Sequence, residues 1–492
     1  MLHMWHKGFI SQSSKFRLGG IFIILLAYAP GVFKESFWSD DYPALMDTSG
    51  SANHMFKDAR PTAAALLSIS FSPLNDPSSA WILRSFALLA LLLIFLFVSK
   101  RISESKYGNL GIFSIAIALC LPSFQMYIHW NVTWFCLWAS LAGLYAFQFW
   151  SSQLISKKVF AVFLLTLALT TYPPAALFFL SVITVVNTLN QSKIAKYFSD
   201  VIQGLMLLTI SGLISVISTF SLMRIVDVSP NTRVALLGLT DIPEKIVWLI
   251  SRPVVVGLRP FLIDSPTPMV AMVTALPVLL IIVIGIKRQT VNLGEKFLYR
   301  FFGIAFPLVL TLIPIILTSD NQIEFRVLPG FSWGIAVLAS YFLLVIISDW
   351  LNRFKINEKL KVSALLITLS ILAVISIASI NMHYSDFFGG PYRMKNTFLN
   401  AEISSCLSSG TLRSVTVLPP EKPFPVLPRL GVFSMSTDLA SSWVPKPNVE
   451  LLLKQRNIAV PATYLNTRPL DIRASATECV IDLEEFRKLL ME

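Results

Sequence analysis

A helix needs about twenty consecutive apolar residues to cross the hydrocarbon core of a bilayer. This chain returns to blocks near that length again and again: Leu18 to Phe33, Ala80 to Ser99, Leu110 to Tyr127, Val132 to Trp150, Val201 to Met223, Met269 to Ile286, Phe301 to Leu317, Phe331 to Ser348 and Val362 to Ile380. With 54% hydrophobic and 14% charged residues and a mean hydropathy of +0.67, the chain reads as an all-α polytopic membrane protein. A net charge of +12 would suit nucleic acid, but no basic tract or nucleic-acid motif accompanies it. Lysines and arginines gather instead at the ends of apolar blocks, as in cytoplasmic loops. Lys7, Lys15 and Arg17 precede the first block and place the N-terminus inside. No small-residue cleavage site follows Ala27-Tyr28-Ala29-Pro30, so this segment is expected to be an uncleaved first helix.

The block Val159 to Val186 is too long for one span, with Tyr172-Pro173-Pro174 in its middle and lysines at both ends (Lys157 and Lys158; Lys193 and Lys196). Two successive prolines cannot both keep helical hydrogen bonds, and the pre-proline Tyr172 is pushed out of helical geometry. The chain is therefore expected to reverse there as a hairpin or re-entrant pair. A single crossing would instead put Lys287, Arg288, Lys296 and Arg300 outside, against the charge rule. With the hairpin the reading has about nine to eleven membrane segments. Residues 1–382 form the membrane part, with external loops at 34–79, 224–268 and 319–330. In the first loop, Arg60 to Phe71 reads as an interfacial helix with proline in its first turn.

From 383 to 492 the composition changes. Pro391, Pro419, Pro420 and Pro428, strand-like runs at Ser414 to Leu418 and Glu478 to Leu483, and a helical stretch to Leu490 suggest a small external α/β domain. Cys406 and Cys479 fall in it, where oxidation is permitted, and a disulfide between them is expected; two buried free thiols are the alternative. Cys120 and Cys136 lie in apolar blocks and read as packing. There is no CxxC or HExxH, the five histidines are scattered, and neither a P-loop nor GxGxxG occurs.

The chemistry is expected at Phe37-Trp38-Ser39-Asp40-Asp41-Tyr42-Pro43, just past the first block. Adjacent carboxylates beside lipid repel each other and are desolvated, which suits a proton acceptor or a cation ligand. A solvated loop anchored by Trp38 and Tyr42 is the plainer reading. Arg60, Arg252, Arg259 and Arg326 fall on the external side, against the usual bias. Arg252 and Arg259, each followed by proline and seven residues apart, would share a helix face. As a group, arginines at the membrane surface offer forked donors to a lipid phosphate, and Tyr172 would stand at the same level. Pairing, for each arginine, with acids or with lipid headgroups is the alternative.

Asp40-Asp41-Tyr42, then Asp58-Ala59-Arg60-Pro61 before an apolar helix, then Tyr172-Pro173-Pro174-Ala175 and Arg326-Val327-Leu328, in this order, resemble the serotype-converting O-antigen glucosyltransferases. These belong to the GT-C class of polyprenyl-phosphate-sugar-dependent enzymes. Ala59 stands where that pattern has glycine, and the arginine usual a few residues after the acidic pair is missing. The resemblance covers roughly the first 350 residues as an ordered set of individually weak motifs. It implies a GT-C fold in the bacterial inner membrane, with the N-terminus cytoplasmic and the C-terminal domain periplasmic. It also implies transfer of glucose or a similar hexose, with inversion, from undecaprenyl phosphate to lipid-linked O-antigen. Asp40 would then be the base, with Asp41 orienting the acceptor or a cation. No cofactor is required, although a divalent cation could assist. Two other classes stay open: an O-antigen polymerase or ligase, and a polysaccharide or lipid transporter. The former should gather its arginines in one large late loop, the latter should carry charges within spans and repeated halves, and neither feature is seen.

Overall fold

The protein is described from a computed structural model over residues 2–74, 76–102, 108–260, 268–321, 325–354, 357–408, 412–422, 444–465 and 478–489. Pro428, Leu490 and loop residues 322–324 lie outside the described residues. The first helix, α1 (Leu2–Phe33), is followed in the first loop by α2 (Asp41–Met46), α3 (Thr48–Lys57) and α4 (Pro61–Phe71). Proline opens α4, where its missing N–H costs no hydrogen bond. Then come α5 (Trp81–Ile102), a span bent by 54° into α6 (Gly108–Ala118) and α7 (Pro122–His129), and α8 (Phe135–Trp150). Pro122 explains the bend, since its ring and lost donor interrupt the ladder. The remaining membrane helices are α9 (Ile155–Thr171), α10 (Pro173–Ala176), α11 (Phe178–Leu189), α12 (Ile194–Ile225), then, after the loop helix α13 (Ile242–Leu249) and the single turn α14 (Val255–Gly257), α15 (Pro268–Leu293), α16 (Phe297–Leu310), α17 (Ile313–Leu317), α18 (Pro329–Arg353) and α19 (Glu358–His383).

Seven helices among the described residues are long and apolar enough to cross a membrane, or eight with the bent pair. The expected nine to eleven segments are reached only by counting shorter pieces. At 17 residues, α9 rises about 25 Å, and α16 stops at 14 residues. The protein is a multi-pass, almost entirely helical membrane protein. Trp333, Ala336, Val337 and Tyr341 on α18 lie at its centre, fully packed, while α12 and α15 carry exposed apolar faces such as Leu213, Ile217, Met272 and Val273 that suit lipid.

Side-chain bonds fix which ends lie together. Arg101 donates to Gln148 Oε1 (2.9 Å), Asn190 Nδ2 to the Arg101 carbonyl (3.1 Å) and Gln289 Nε2 to the Thr188 carbonyl (2.9 Å). Arg300 reaches the Ser192 carbonyl (2.6 Å), and Arg288 pairs with Asp349 (3.0 Å). These residues therefore share one end. At the opposite end Thr62 bonds Thr170 (2.7 Å), Asn231 bonds Asp58 (2.6 Å), and the Leu237 N–H donates to the Leu317 carbonyl (2.9 Å). Since α9 starts beside α8 at the first end and α11 finishes there, the chain reverses at Tyr172-Pro173-Pro174. The reversal packs closely on α8. Ser140 Oγ donates to the Ala175 carbonyl (3.0 Å), and a Cβ on Gly143 would stand 2.4 Å from the Ala176 carbonyl oxygen, so only glycine lets the two backbones meet.

Beyond α19 the helix continues through a π-helical segment, Tyr384–Gly389, into α20 (Gly390–Ser408). There follow β1 (Ser414–Leu418), α21 (Pro445–Gln455), β2 (Ala462–Tyr464), β3 (Glu478–Asp482) and α22 (Leu483–Leu489). The strands form a parallel sheet in the order β2-β1-β3, with Val415 opposite both Ala462 and Cys479. Parallel neighbours need crossovers, and α21 supplies the one between β1 and β2. The three-residue β2 carries too little alternation to be read from sequence. Val415 and Val417 face a second core that includes Phe37 and Tyr42 from the first loop, so this small α/β unit packs directly on the segment after α1. Cys406 on α20 and Cys479 on β3 are disulfide-bonded, with Cα atoms 5.4 Å apart.

Candidate active site

At the end opposite the basic cluster, a cavity of about 410 Å³ opens between α3, α9, α10, α12, α17 and the loop before α18. Its polar part is lined by Asp40, His54, Asp58, Arg60, Tyr172, Asp320 and Arg326. Its apolar part follows the spans, with Leu208, Val216 and Phe220 of α12 facing Leu169, Ile313 and Leu317. A polar head thus sits at the top of an apolar slot.

The acidic pair divides. Ser39 has φ +47°, and this left-handed residue turns the chain so that consecutive carboxylates leave in different directions. Asp40, half-buried, lines the cavity. Asp41 is fully buried and does not. Its Oδ2 accepts from the Trp38 N–H (3.0 Å), the Asn131 N–H (3.4 Å) and Asn131 Nδ2 (2.8 Å), and its Oδ1 from the Val132 N–H (2.9 Å). Burial pushes the Asp41 carboxyl up to about 7 against the pull of these four donors. The expectation that Asp41 orients an acceptor or a cation is corrected: its oxygens are used in tying the first loop to the α7–α8 turn.

Ala59 explains how Arg60 reaches the cavity. Its φ of +59° is the conformation glycine adopts without strain, and it ends α3 so that Arg60 precedes Pro61 at the start of α4. The guanidinium of Arg60 stands 5.0 Å over the Tyr172 ring. Tyr172 meets the Tyr127 ring at 6.0 Å, and the Tyr127 hydroxyl donates to the Arg326 carbonyl. The Arg326 guanidinium lies 4.6 Å over Trp130, which packs on Trp38 at 5.0 Å. An aromatic ring therefore backs each arginine, Tyr172 under Arg60 and Trp130 under Arg326, at a modest gain from each cation–π contact, and both residues line the cavity.

Arg252 and Arg259 are not brought there. Their shared face requires an unbroken 3.6-residue period, but a π-helical segment, Ile250–Val254, interrupts the helix at Pro253. Arg252 is exposed, whereas Arg259 is buried with its Nε on Thr274 Oγ1 (2.6 Å) of α15. Neither lines the cavity.

Several cavity residues were not singled out from sequence. Asp58, seen only as part of the Asp58-to-Pro61 motif, accepts from Asn231 Nδ2 (2.6 Å) and has His54 Nε2 at 3.8 Å. Asp320 arrives through a loop whose backbone is held by Lys245, which donates to the Asp320 carbonyl (2.7 Å) and Asn321 Oδ1 (2.9 Å). Trp130 and Asn131, between the apolar blocks that end at Tyr127 and begin at Val132, form the floor beneath Arg326 and the clamp on Asp41. Among the described residues no three His, Cys, Asp or Glu side chains are grouped as a metal site.

No family model matches this chain, and no curated protein matches it. Among solved structures, the oligosaccharyltransferase of Archaeoglobus fulgidus, crystallised with a disulfide-tethered acceptor peptide containing the NVT sequon, aligns over 91% of this chain and 68% of its own, with 13% identity and a TM-score of 0.42.

Proposed function

We propose that the chain is a GT-C-type membrane glycosyltransferase. It would move a hexose, glucose in the family its motifs resemble, from undecaprenyl phosphate onto lipid-linked O-antigen or a related surface polysaccharide. The site would face the periplasm of a bacterial inner membrane, with the basic end in the cytoplasm as the charge rule requires. The observation that carries this reading is the shape of the cavity: three carboxylates, Asp40, Asp58 and Asp320, and two aromatic-backed arginines at the head of a slot walled by apolar span residues. Such a slot suits a phosphate ester on a long hydrocarbon chain better than it suits a soluble nucleotide sugar.

In this reading Asp40 accepts the proton of the acceptor hydroxyl as its oxygen attacks the anomeric carbon. The bond from that carbon to the phosphate oxygen breaks on the opposite face, which inverts the centre. Arg60 and Arg326 receive the charge that develops on the departing polyprenyl phosphate. Two fixed cations already serve this purpose, so the reaction as written needs no cofactor, and added chelator should leave the rate unchanged.

The test is transfer from synthetic polyprenyl-phosphate glucose to a lipid-linked glycan by the purified protein in nanodiscs, with Asp40→Asn as control. Transfer that Asp40→Asn abolishes supports the proposal. Use of a diphosphate-linked oligosaccharide instead would support a polymerase or ligase. Movement of a lipid-linked sugar between leaflets, with no glycosidic bond formed, would support a transporter.

A further inference from the structure

Arg84, the fourth residue of α5, is 1% exposed and lies outside the cavity lining. Its Nε donates to the Val32 carbonyl (3.0 Å), its Nη2 to the Lys34 carbonyl (2.8 Å), and its Nη1 to both the Ser36 carbonyl (2.9 Å) and Ser36 Oγ (2.8 Å). All these acceptors belong to the last turn of α1 and its exit. The final carbonyls of a helix lack partners within it and carry the negative end of its dipole. A guanidinium is permanently charged and forked, so it can satisfy three carbonyls at once and have its own burial offset by them.

The contacts continue towards the acidic pair. The Ser36 carbonyl that Arg84 holds also accepts from Asn131 Nδ2 (3.2 Å), and the same nitrogen donates to Asp41 Oδ2 (2.8 Å). Both ends of the segment from Ser36 to Asp41 are thereby fixed, and between them the left-handed Ser39 sends Asp40 into the cavity. The small α/β unit holds the same segment from its other side, through the Tyr392 hydroxyl on Glu35 and Lys395 Nζ 4.0 Å over the Tyr42 ring.

We propose that Arg84 is a positioning residue for the transfer reaction: it anchors the exit of α1 and, through Ser36, Asn131 and Asp41, aims the Asp40 carboxylate. The inference rests on the proposed role of Asp40, but its first consequence, an ordered loop, does not. Arg84→Gln removes the charge and most of the fork; Arg84→Lys keeps charge and bulk but reaches fewer carbonyls at a time.

With polyprenyl-phosphate glucose as donor, Arg84→Gln should lower kcat about 100-fold, the scale of a small misplacement of a reacting group, while the donor KM stays as in the parent. Arg84→Lys should recover part of kcat and serves as the fold-retaining variant. Amide hydrogen exchange over residues 33–42 should rise in Arg84→Gln, and less in Arg84→Lys. A loss confined to KM, an unchanged kcat, or parental exchange in the loop would overturn the proposal. If the parent protein transfers no sugar, the proposed function fails, and exchange in the loop alone decides whether Arg84 is its anchor.

Discussion

Asp41→Ala removes the acceptor of four hydrogen bonds, three from the backbone N–H groups of Trp38, Asn131 and Val132 and one from the Asn131 amide. The carboxylate is fully buried, so water cannot replace it without opening the loop. An unmade buried hydrogen bond costs about 1–3 kcal/mol. With relaxation of the α7–α8 turn keeping each near the low end, the total is about 4 kcal/mol. Asp40→Asn changes a half-buried cavity group and should cost about 0.5 kcal/mol or less, but it removes the proton acceptor and should lower transfer by roughly two to four orders of magnitude. Thermal unfolding in nanodiscs, read beside the transfer assay, separates the two. Asp41→Ala should unfold well below the parent, and Asp40→Asn should unfold with it but be inactive. An Asp41→Ala protein as stable as the parent would refute the clamp, and an active Asp40→Asn protein would refute the base.

Arg326→Ala should raise the donor KM, and Arg326→Lys should restore donor use only in part, because an ammonium cannot reproduce the fork that lies over Trp130; steady-state kinetics in varied donor checks this. Ala59→Gly should be tolerated with transfer intact, whereas Ala59→Val, with a branched side chain at φ +59°, should cost about 1–3 kcal/mol in unfolding experiments and misplace Arg60. Cys406→Ser should destabilise the small α/β unit by about 4 kcal/mol in the chain-entropy model, for a sequence separation of 73; alkylation of both cysteines in denatured, unreduced protein would exclude the bond. For pH, the folded Asp41 carboxyl titrates at about 7 and the unfolded one at about 3.9. Its contribution is therefore fully present below the unfolded value and lost as pH rises through the folded one. Unfolding temperatures measured from mildly acid to mildly alkaline pH should fall more steeply for the parent than for Asp41→Asn.

The apolar blocks, the prolines of Tyr172-Pro173-Pro174 and the ends at which basic residues gather were enough to place the spans and the reversal, because span length, helix breaking and charge bias are properties of a local stretch. The same holds for the helix that Pro61 opens and for the strand run at Ser414. Direction in space is another matter. Nothing local distinguishes Asp40 from Asp41; the left-handed turn at Ser39 and the donors offered by Trp38, Asn131 and Val132 send one to the cavity and hold the other. The seven-residue spacing of Arg252 and Arg259 predicts a common face only if the helix is regular, and the π-helical segment at Pro253 removes that regularity. Arg84, inside the apolar block Ala80 to Ser99, was not singled out from sequence, and its role emerges only when the packing of α1 on α5 brings the carbonyls of Val32, Lys34 and Ser36 to it. The placing of Asp41 and of Arg84 rests on contacts between residues far apart in the chain, which only the tertiary structure makes, while the fate of Arg252 and Arg259 turns on a backbone irregularity that their spacing does not reveal.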